Sequence, residues 1–238
     1  MNTDKKIAVI SGGGGYLGSA ISQELIRNGF FVIVVEREDK GILNTENMQF
    51  KIVDISNASA VKKIVEEVKA EFGEICTIIH TASAPLVRQP VLSLSEDDFR
   101  KQFSVNVDGG FHLFKYFSET LEENGSIIGI TSSAILRGTP HSKSGSYVSA
   151  KYGLQGLLRS ISSETSFRVY SVAPAFMSGG LNNDLPEIAR DFILQKSNPK
   201  DITSVENVAS SVLSLVNDQE KKWSGKTISL PGFFVTEI

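Results

Sequence analysis

Tyr147 and Lys151 carry the clearest candidate chemistry in the sequence, four residues apart in the segment YVSAK. On a helix this spacing puts both side chains on one face, about one turn apart. A free tyrosine has a pKa of about 10, and a nearby ammonium group favours its phenolate form. The phenol is then a usable general acid or base near neutral pH. A Tyr–Lys pair at this spacing is more often structural, so its meaning depends on the residues around it.

Two hydroxyl groups precede this pair, at the end of the segment GSIIGITSS. Ser132 and Ser133 lie 15 and 14 residues before Tyr147. If the segment is a buried strand, a hydroxyl at its carboxyl end could hydrogen-bond the same substrate oxygen that Tyr147 protonates. Either serine could equally cap the end of the strand, and the sequence does not decide which of the two is the catalytic hydroxyl.

A glycine-rich turn, SGGGGYLG, occupies Ser11–Gly18 directly after an apolar run. Gly13, Gly15 and Gly18 satisfy the pattern GxGxxG, and Gly12, Gly15 and Gly18 satisfy GxxGxxG. Glycine lets the backbone turn sharply and approach a diphosphate, whose charge is stabilised by free N–H groups at the start of the next helix. A turn without a ligand would have the same sequence, so the residues that follow decide its meaning.

Glu36 stands 18 residues after Gly18, at the end of the second predicted strand. A carboxylate there can accept hydrogen bonds from the hydroxyls of an adenosine ribose and repels a 2′-phosphate, which favours NAD. The neighbouring Arg37 could pair with that phosphate and admit NADP. Asp54, after the third strand, could contact the adenine amino group, although a helix cap explains it nearly as well.

These residues fall on an alternation of short β-branched runs and amphipathic stretches, which is typical of βαβ units around a parallel sheet. We predict one α/β domain over residues 1–238, a doubly wound parallel sheet of about seven strands with helices on both faces. The predicted strands are Ile7–Ile10, Phe31–Val35, Gln49–Val53, Thr77–His80, Ser126–Ile130, Arg168–Val172 and Thr227–Leu230. The predicted helices are Tyr16–Asn28, Ala58–Phe72, Glu96–Glu122, Tyr147–Glu164, Leu185–Gln195 and Val205–Val216.

Three loop-rich segments, Ala82–Ser95, Ala134–Ser146 and Pro174–Asp184, each follow a predicted strand. Because the carboxyl ends of parallel strands meet at one edge of the sheet, we expect these loops to lie together there. Open α/β sheets bind their ligands at that edge.

The composition argues against several classes of function. The 238 residues hold 24 Lys plus Arg against 27 Asp plus Glu, without a basic block, so nucleic acid is not an expected partner. No apolar run is long enough for a signal-peptide core or a membrane span. The single Cys76 and three scattered histidines offer no metal-ligand spacing, and a lone thiol fits a reducing compartment. We expect a cytoplasmic protein without a metal.

The order of the motifs, SGGGGYLG, Asn106 within SVNVDG, Ser132–Ser133 and YVSAK, resembles the short-chain dehydrogenase/reductase family over essentially the whole chain. The resemblance implies a Rossmann-like fold and an NAD(P)-dependent oxidoreductase. Tyr147 would be the general acid in carbonyl reduction and the general base in alcohol oxidation. Lys151 would lower the pKa of Tyr147 and bind the nicotinamide ribose. Ser133 would polarise the substrate oxygen, and Asn106 would hold a water in a proton relay to Lys151.

The resemblance also implies a homodimer or homotetramer and a lid, residues 179–200, that closes over a small-molecule carbonyl or alcohol substrate. It implies NAD as the cofactor, with NADP as the alternative. The expected cofactor-binding residues are Ser11, Gly12, Gly15, Tyr16, Leu17, Gly18, Glu36, Arg37, Asp54, Ile55, Thr81, Ala82, Tyr147, Lys151 and Pro174.

The chain departs from the usual family pattern at several positions. His80-Thr81-Ala82-Ser83 replaces Asn-Asn-Ala-Gly, and Tyr16 occupies a position that is usually glycine. Ala175 replaces the glycine of a Pro-Gly pair, and the threonine expected a few residues later is replaced in the Met177-Ser178-Gly179 region.

The leading hypothesis is therefore an NAD(P)-dependent enzyme that interconverts a secondary alcohol and a ketone. The alternative enzyme is a 3-oxoacyl carrier-protein reductase or polyketide-type ketoreductase. The departures motivate an alternative of another class, a non-catalytic nucleotide-sensing or scaffold protein on the same fold.

Overall fold

An eight-stranded sheet forms the centre of the computed structural model, which describes residues 5–41, 43–136, 142–198 and 202–237. Neighbouring strands follow the order β3-β2-β1-β4-β5-β6-β7-β8. The first seven are parallel, and the eighth pairs antiparallel with the seventh. The strands are β1 Ile7–Ser11, β2 Phe31–Glu36, β3 Met48–Ile52, β4 Ile75–His80, β5 Leu121–Ile130, β6 Arg168–Pro174, β7 Lys226–Leu230 and β8 Phe234–Glu237.

The direction of strand addition reverses at β1, which lies between β2 and β4. Ser11, the last residue of β1, is level with Val35 on β2 and with His80 on β4. Loops that leave such neighbouring strands in opposite directions open a crevice at the carboxyl edge of the sheet. The glycine-rich turn Ser11–Gly18 therefore begins at the usual ligand site of a doubly wound sheet.

Helices cover both faces of the sheet, because successive strand residues point to opposite sides. On one side Ile7 and Val9 belong to a core shared with α2, α4 and α5, and on the other Ala8 and Ile10 belong to a core shared with α1 and α7. The helices are α1 Tyr16–Arg27, α2 Ala58–Phe72, α3 Glu96–Phe103, α4 Gly109–Phe117, α5 Gly145–Glu164, α6 Glu187–Lys196 and α7 Val205–Val216. The doubly wound fold predicted from the sequence is confirmed.

The single long helix predicted over Glu96–Glu122 is wrong. The helical run comprises α3, a π-helical turn Ser104–Asp108 and α4, and it closes with one 3-10 turn, Ser118–Thr120. Leu121 already belongs to β5 and pairs with Ile75 at the start of β4. The hydrophobic period continues through this junction, so it gives no sign that the backbone changes from helix to strand.

Two strands at the edges of the sheet also differ from prediction. β3 spans Met48–Ile52 instead of Gln49–Val53. Because it is an edge strand, it is not buried on both faces, and Ile52 is 59% exposed. β8 was not predicted at all. The helices α2 and α7 agree with prediction to the residue.

None of the helices in the described part of the chain combines the length and apolar character needed to cross a bilayer. Among the same described residues, no group of three or more His, Cys, Asp or Glu side chains is arranged to hold a metal ion.

Cys76 provides a direct check of the fold because it is the chain's only thiol. Its side chain is buried in β4, and burial raises its pKa to about 12. Thiolate, the reactive form, is then about one ten-thousandth of the population at pH 8. We expect no reaction of the native protein with a chromogenic disulfide reagent at pH 8, and one thiol per chain after denaturation. Rapid stoichiometric reaction of the native protein would contradict the placement of β4.

Candidate active site

A cavity of about 680 Å³ opens at the carboxyl edge of the sheet, a size within the ordinary range of ligand pockets. It is bordered by the glycine-rich turn, by the ends of β2, β4, β5 and β6, and by the start of α5. Most of the residues predicted to bind cofactor or substrate line it: Gly12, Gly15, Tyr16, Leu17, Gly18, Glu36, Arg37, Asp54, Ile55, Thr81, Ala82, Ser133, Tyr147, Lys151 and Pro174.

Two glycines of the glycine-rich turn are required by close backbone contacts. Gly12 has φ +73°, and a Cβ there would lie 2.7 Å from the Ala82 backbone nitrogen. A Cβ at Gly18 would lie 2.0 Å from the Gly12 carbonyl oxygen. Gly15 is the N-cap residue of α1, and no side chain caps the N–H groups of the first helical turn. This bare helix start beside the cavity fits the diphosphate of a dinucleotide.

Glu36 is held in place at the end of β2. Its buried carboxylate accepts a hydrogen bond from the Gly14 N–H through Oε1 (2.8 Å) and forms an ion pair between Oε2 and Lys40 Nζ (3.1 Å). Arg37 is paired with Glu38 at 2.6 Å instead of extending alone beside the cavity. Arg37 and Lys40, which line the cavity beside Glu36, are therefore each paired with a carboxylate.

Asp54 combines the two roles considered for it. It lines the cavity, and its Oδ1 also accepts hydrogen bonds from the backbone N–H (2.9 Å) and the hydroxyl (2.7 Å) of Ser56. The carboxylate thus stabilises the turn that leads to α2, whose N-cap is Asn57.

Tyr147 and Lys151 lie in the first two turns of α5, as their spacing predicts; the Lys151 side chain is buried, and Tyr147 is half-buried at the cavity wall. Lys151 Nζ lies 5.6 Å from the centre of the Tyr147 ring and donates a hydrogen bond to the Ile130 carbonyl at 2.8 Å. Burial lowers the pKa of Lys151 to about 7. Burial also raises the pKa of Tyr147 above its ordinary value, and a hydrogen bond from Ser132 partly opposes that rise.

Ser132, and not Ser133, is the serine hydrogen-bonded to Tyr147. Both serines line the cavity, but Ser133 begins the 3-10 turn Ser133–Ile135 while Ser132 is still extended. The Ser132 oxygen also accepts a hydrogen bond from the Ala134 N–H at 3.2 Å. The chain leaves the strand between the two residues, which sends their side chains in different directions.

Asn106 lies behind the cavity and does not line it. It is fully buried in the π-helical turn, where its Nδ2 donates to the Gln102 carbonyl (2.9 Å) and side-chain oxygen (3.1 Å). Gln102 in turn donates to the Pro85 carbonyl at 2.7 Å, in the loop after β4. Asn106 therefore connects the helix to this loop.

His80 connects Asn106 to the glycine-rich turn. Its Nε2 donates to the Asn106 carbonyl at 3.3 Å, and because a carbonyl only accepts, Nδ1 must accept from the Ser11 hydroxyl at 2.8 Å. Burial, with the nearby Lys151 charge, lowers the pKa of His80 to about 3 and keeps the ring neutral. The Ser11 side chain therefore points to His80 and does not line the cavity, and the contact of Ser11 with a cofactor stays a prediction.

Arg88 was missed by the sequence analysis. It lies in the loop after β4 and reaches across the cavity mouth, where Nε pairs with Asp184 Oδ2 (3.1 Å) and a terminal nitrogen donates to Asn182 Oδ1 (2.8 Å). Its partners lie 94 and 96 residues away, so no local pattern could have identified the contact. Residues 137–141 of the predicted loop Ala134–Ser146 lie outside the described residues.

A family model described as enoyl-(acyl carrier protein) reductase matches residues 16–232, most of the chain. The chain belongs to the short-chain dehydrogenase/reductase family. The resemblance identified from the motifs is confirmed. This member is an oxidoreductase of the class that acts on alcohol and carbonyl groups, and the family generally uses NAD(P).

Similar proteins agree with this assignment. The 3-oxoacyl-[acyl-carrier-protein] reductase FabG of Thermotoga maritima is 25% identical, over 99% of this chain and 100% of that protein. The short chain aldehyde dehydrogenase 1 of Euphorbia lathyris is 27% identical, over 95% of this chain and 87% of that protein. A solved short-chain dehydrogenase/reductase from Serratia marcescens shares the fold, with a TM-score of 0.85 and 22% identity over 98% and 99% of the two chains.

Lys151 should give this dehydrogenase/reductase a stability that rises with pH when no nucleotide is bound. Because burial lowers its pKa from 10.5 to about 7, the unfolded chain binds one more proton between those values. From pH 7 to 9.5 the free energy of unfolding should rise about 3 kcal/mol more in the wild type than in Lys151→Met. Denaturant titrations at both pH values measure this. Equal pH dependence in the two proteins would show that Lys151 is not desolvated.

Proposed function

We propose that the protein uses NAD to interconvert a secondary alcohol and a ketone. The observation that carries the proposal is the hydrogen bond between Ser132 and Tyr147 in the cavity wall, with the buried Lys151 beside it. Two hydroxyls that already share a hydrogen bond can converge on one substrate oxygen. Such a pair suits a carbonyl or alcohol oxygen, whose charge changes during the reaction.

Each of the chain's own groups has a distinct part. The nicotinamide cofactor supplies the hydride in reduction and accepts it in oxidation. Tyr147 gives its proton to the carbonyl oxygen or removes the proton of the alcohol. Ser132 orients that oxygen and donates a hydrogen bond to it. Lys151 favours the phenolate of Tyr147 when protonated and holds the nicotinamide ribose.

For Asn106 we propose a positioning part beside the water-holding part that the resemblance implies. Its side-chain nitrogen donates to Gln102 and its backbone carbonyl accepts from His80, whereas its side-chain oxygen is buried with no hydrogen-bond partner among the described residues. It thereby holds the π-helical turn next to α5, which carries Tyr147. The water of a proton relay stays a prediction of the resemblance.

Glu36 supports NAD over NADP. Its carboxylate is fixed by Gly14 and Lys40 at the cavity wall, where a 2′-phosphate would meet a negative charge. Arg37 would have to leave Glu38 to pair with such a phosphate, but that exposed ion pair contributes about 1 kcal/mol at most, so the preference for NAD rests on the Glu36 charge.

The lid, the oligomer and the location belong to the same proposal. Residues 179–200 would close over the substrate, starting from the segment that Arg88 holds; residues 199 and 200 lie outside the described residues. We keep a homodimer or homotetramer as the expected assembly, and a cytoplasmic location as the expectation from the single reduced Cys76.

A 3-oxoacyl carrier-protein reductase is the second candidate, supported by relatives of that name that match nearly the full length of the chain. The two candidates share one mechanism and differ in substrate. Carrier-linked 3-oxoacyl thioesters should be reduced far faster than free ketones if the second candidate is correct.

The catalytic assignment predicts a contrast between two neighbouring serines. Tyr147→Phe should remove turnover while nucleotide affinity is retained, because only the transferable proton is lost. Ser132→Ala should lower kcat about 100-fold, as expected for loss of a positioned acid–base partner. Ser133→Ala, the matched control, should stay close to wild type. Steady-state rates with a ketone panel, and NADH binding by fluorescence, measure these effects. Full activity of Tyr147→Phe, or a larger loss at Ser133 than at Ser132, would reject the assignment.

The cofactor assignment predicts that NADH binds at least about tenfold more tightly than NADPH, because like charges would face each other at Glu36. Glu36→Gln removes that charge and should lower the ratio of NADH affinity to NADPH affinity. Glu46→Gln, an exposed glutamate that does not line the cavity, is the control and should leave the preference unchanged. Fluorescence titrations of all three proteins with both nucleotides give the ratio. A wild type that prefers NADPH would overturn the assignment.

A further inference from the structure

Tyr16 is unusual both in the sequence and in the structure. It occupies the usual glycine position of the glycine-rich turn and is the first residue of α1. Its side chain is 44% exposed, which is high for a tyrosine next to a binding cavity. It lines the main cavity and also a neighbouring cavity of about 510 Å³, which Leu194 and Ser197 of the lid region border. The ring therefore stands between the glycine-rich turn and the lid segment.

The Tyr16 ring packs directly on the backbone of two glycines that begin the lid. A Cβ at Gly179 would lie 2.5 Å from Tyr16 Cζ and 2.6 Å from Cε2. A Cβ at Gly180 would lie 3.0 Å from Tyr16 Cδ1, and Gly180 has φ +66°, a conformation that other residues rarely adopt. The ring thus occupies the space that side chains at these two positions would need.

Two departures from the family pattern meet in this contact. The ring at position 16 replaces a glycine in the turn, and the region around Gly179 lacks the threonine expected there. In the structure the ring occupies the space that a side chain at Gly179 would need. The two positions are 163 residues apart, so their complementarity is a property of the folded site.

We propose that Tyr16 is a positioning residue that holds the first turn of the lid against the glycine-rich turn and slows nucleotide release. The inference rests on the proposed nucleotide site and lid. The backbone of Tyr16 belongs to the turn that receives the diphosphate, while its ring contacts the lid, so one residue joins the two. Arg88 holds the same lid segment from the substrate side through Asn182 and Asp184. Lid opening then requires loss of the ring contact.

Three variants and one double variant test this contact. Tyr16→Phe keeps the ring and should resemble the wild type. Tyr16→Ala should raise the NADH dissociation rate about tenfold, since most affinity changes appear in the dissociation rate. Gly179→Ala should act in the same direction, because its Cβ displaces the tip of the ring. The double variant should be no worse than Tyr16→Ala alone, because both changes break one contact.

Two measurements separate this inference from the proposed function. Stopped-flow NADH release and steady-state kinetics measure how the nucleotide is held. In Tyr16→Ala the KM for the nucleotide should rise by a larger factor than kcat falls. Hydrogen exchange of residues 179–184 without nucleotide reports on the lid alone and should accelerate in Tyr16→Ala but not in Tyr16→Phe. Thermal unfolding should change little, which distinguishes positioning from a general structural role.

The outcomes are distinguishable. Unchanged lid exchange in Tyr16→Ala would overturn the inference whether or not nucleotide binds. Additive effects in the double variant, or an unchanged NADH dissociation rate, would also overturn it. A wild type that binds neither NADH nor NADPH would reject the proposed function, and with it the effect on nucleotide release.

Discussion

The site depends on His80 remaining uncharged. This imidazole is fully buried between the Ser11 hydroxyl and the Asn106 backbone carbonyl. The charge of the nearby Lys151 lowers its pKa further. A protonated ring would present an N–H to each neighbour and a second positive charge to Lys151, and both side chains are buried. Burial lowers the pKa of His80 to about 3, so the ring is neutral at neutral pH and well below it. The end of β1, the end of β4 and the π-helical turn are thereby held together.

Burial acts on the two catalytic groups in the same sense, since it favours the neutral form of each. It raises the pKa of Tyr147 and lowers that of Lys151, while the Ser132 hydrogen bond favours the phenolate. Without a bound nucleotide the phenol therefore keeps its proton, and Lys151 titrates near pH 7. When Lys151 is protonated, its charge and the Ser132 hydrogen bond both favour the phenolate that acid–base chemistry needs.

The parts of this site that the sequence predicted are those set by local spacing. A helical turn brings Tyr147 beside Lys151, and Gly18 is required by the Gly12 carbonyl six residues before it. The parts that were missed depend on contacts between distant segments. The direction of Ser132 was not predictable because it is decided where β5 gives way to a 3-10 turn. The partner of Arg88 and the burial of Ser11 against His80 are likewise set only when the loops meet.

Several residues depart from the family pattern and motivated the hypothesis of a non-catalytic protein. In the folded chain these residues make hydrogen bonds or packing contacts. His80, in place of asparagine, makes a hydrogen bond at each end of its ring, and Thr81 donates its hydroxyl to the Ser11 carbonyl at 2.8 Å. An unpaired buried polar group costs about 1–3 kcal/mol of stability, and neither replacement leaves one, because the His80 ring and the Thr81 hydroxyl are both hydrogen-bonded. Here the replaced residues are hydrogen-bonded, and the ring at position 16 fits glycines on the opposite segment. The replacements therefore keep the glycine-rich turn joined to the end of β4 and leave Ser132, Tyr147 and Lys151 at the cavity wall.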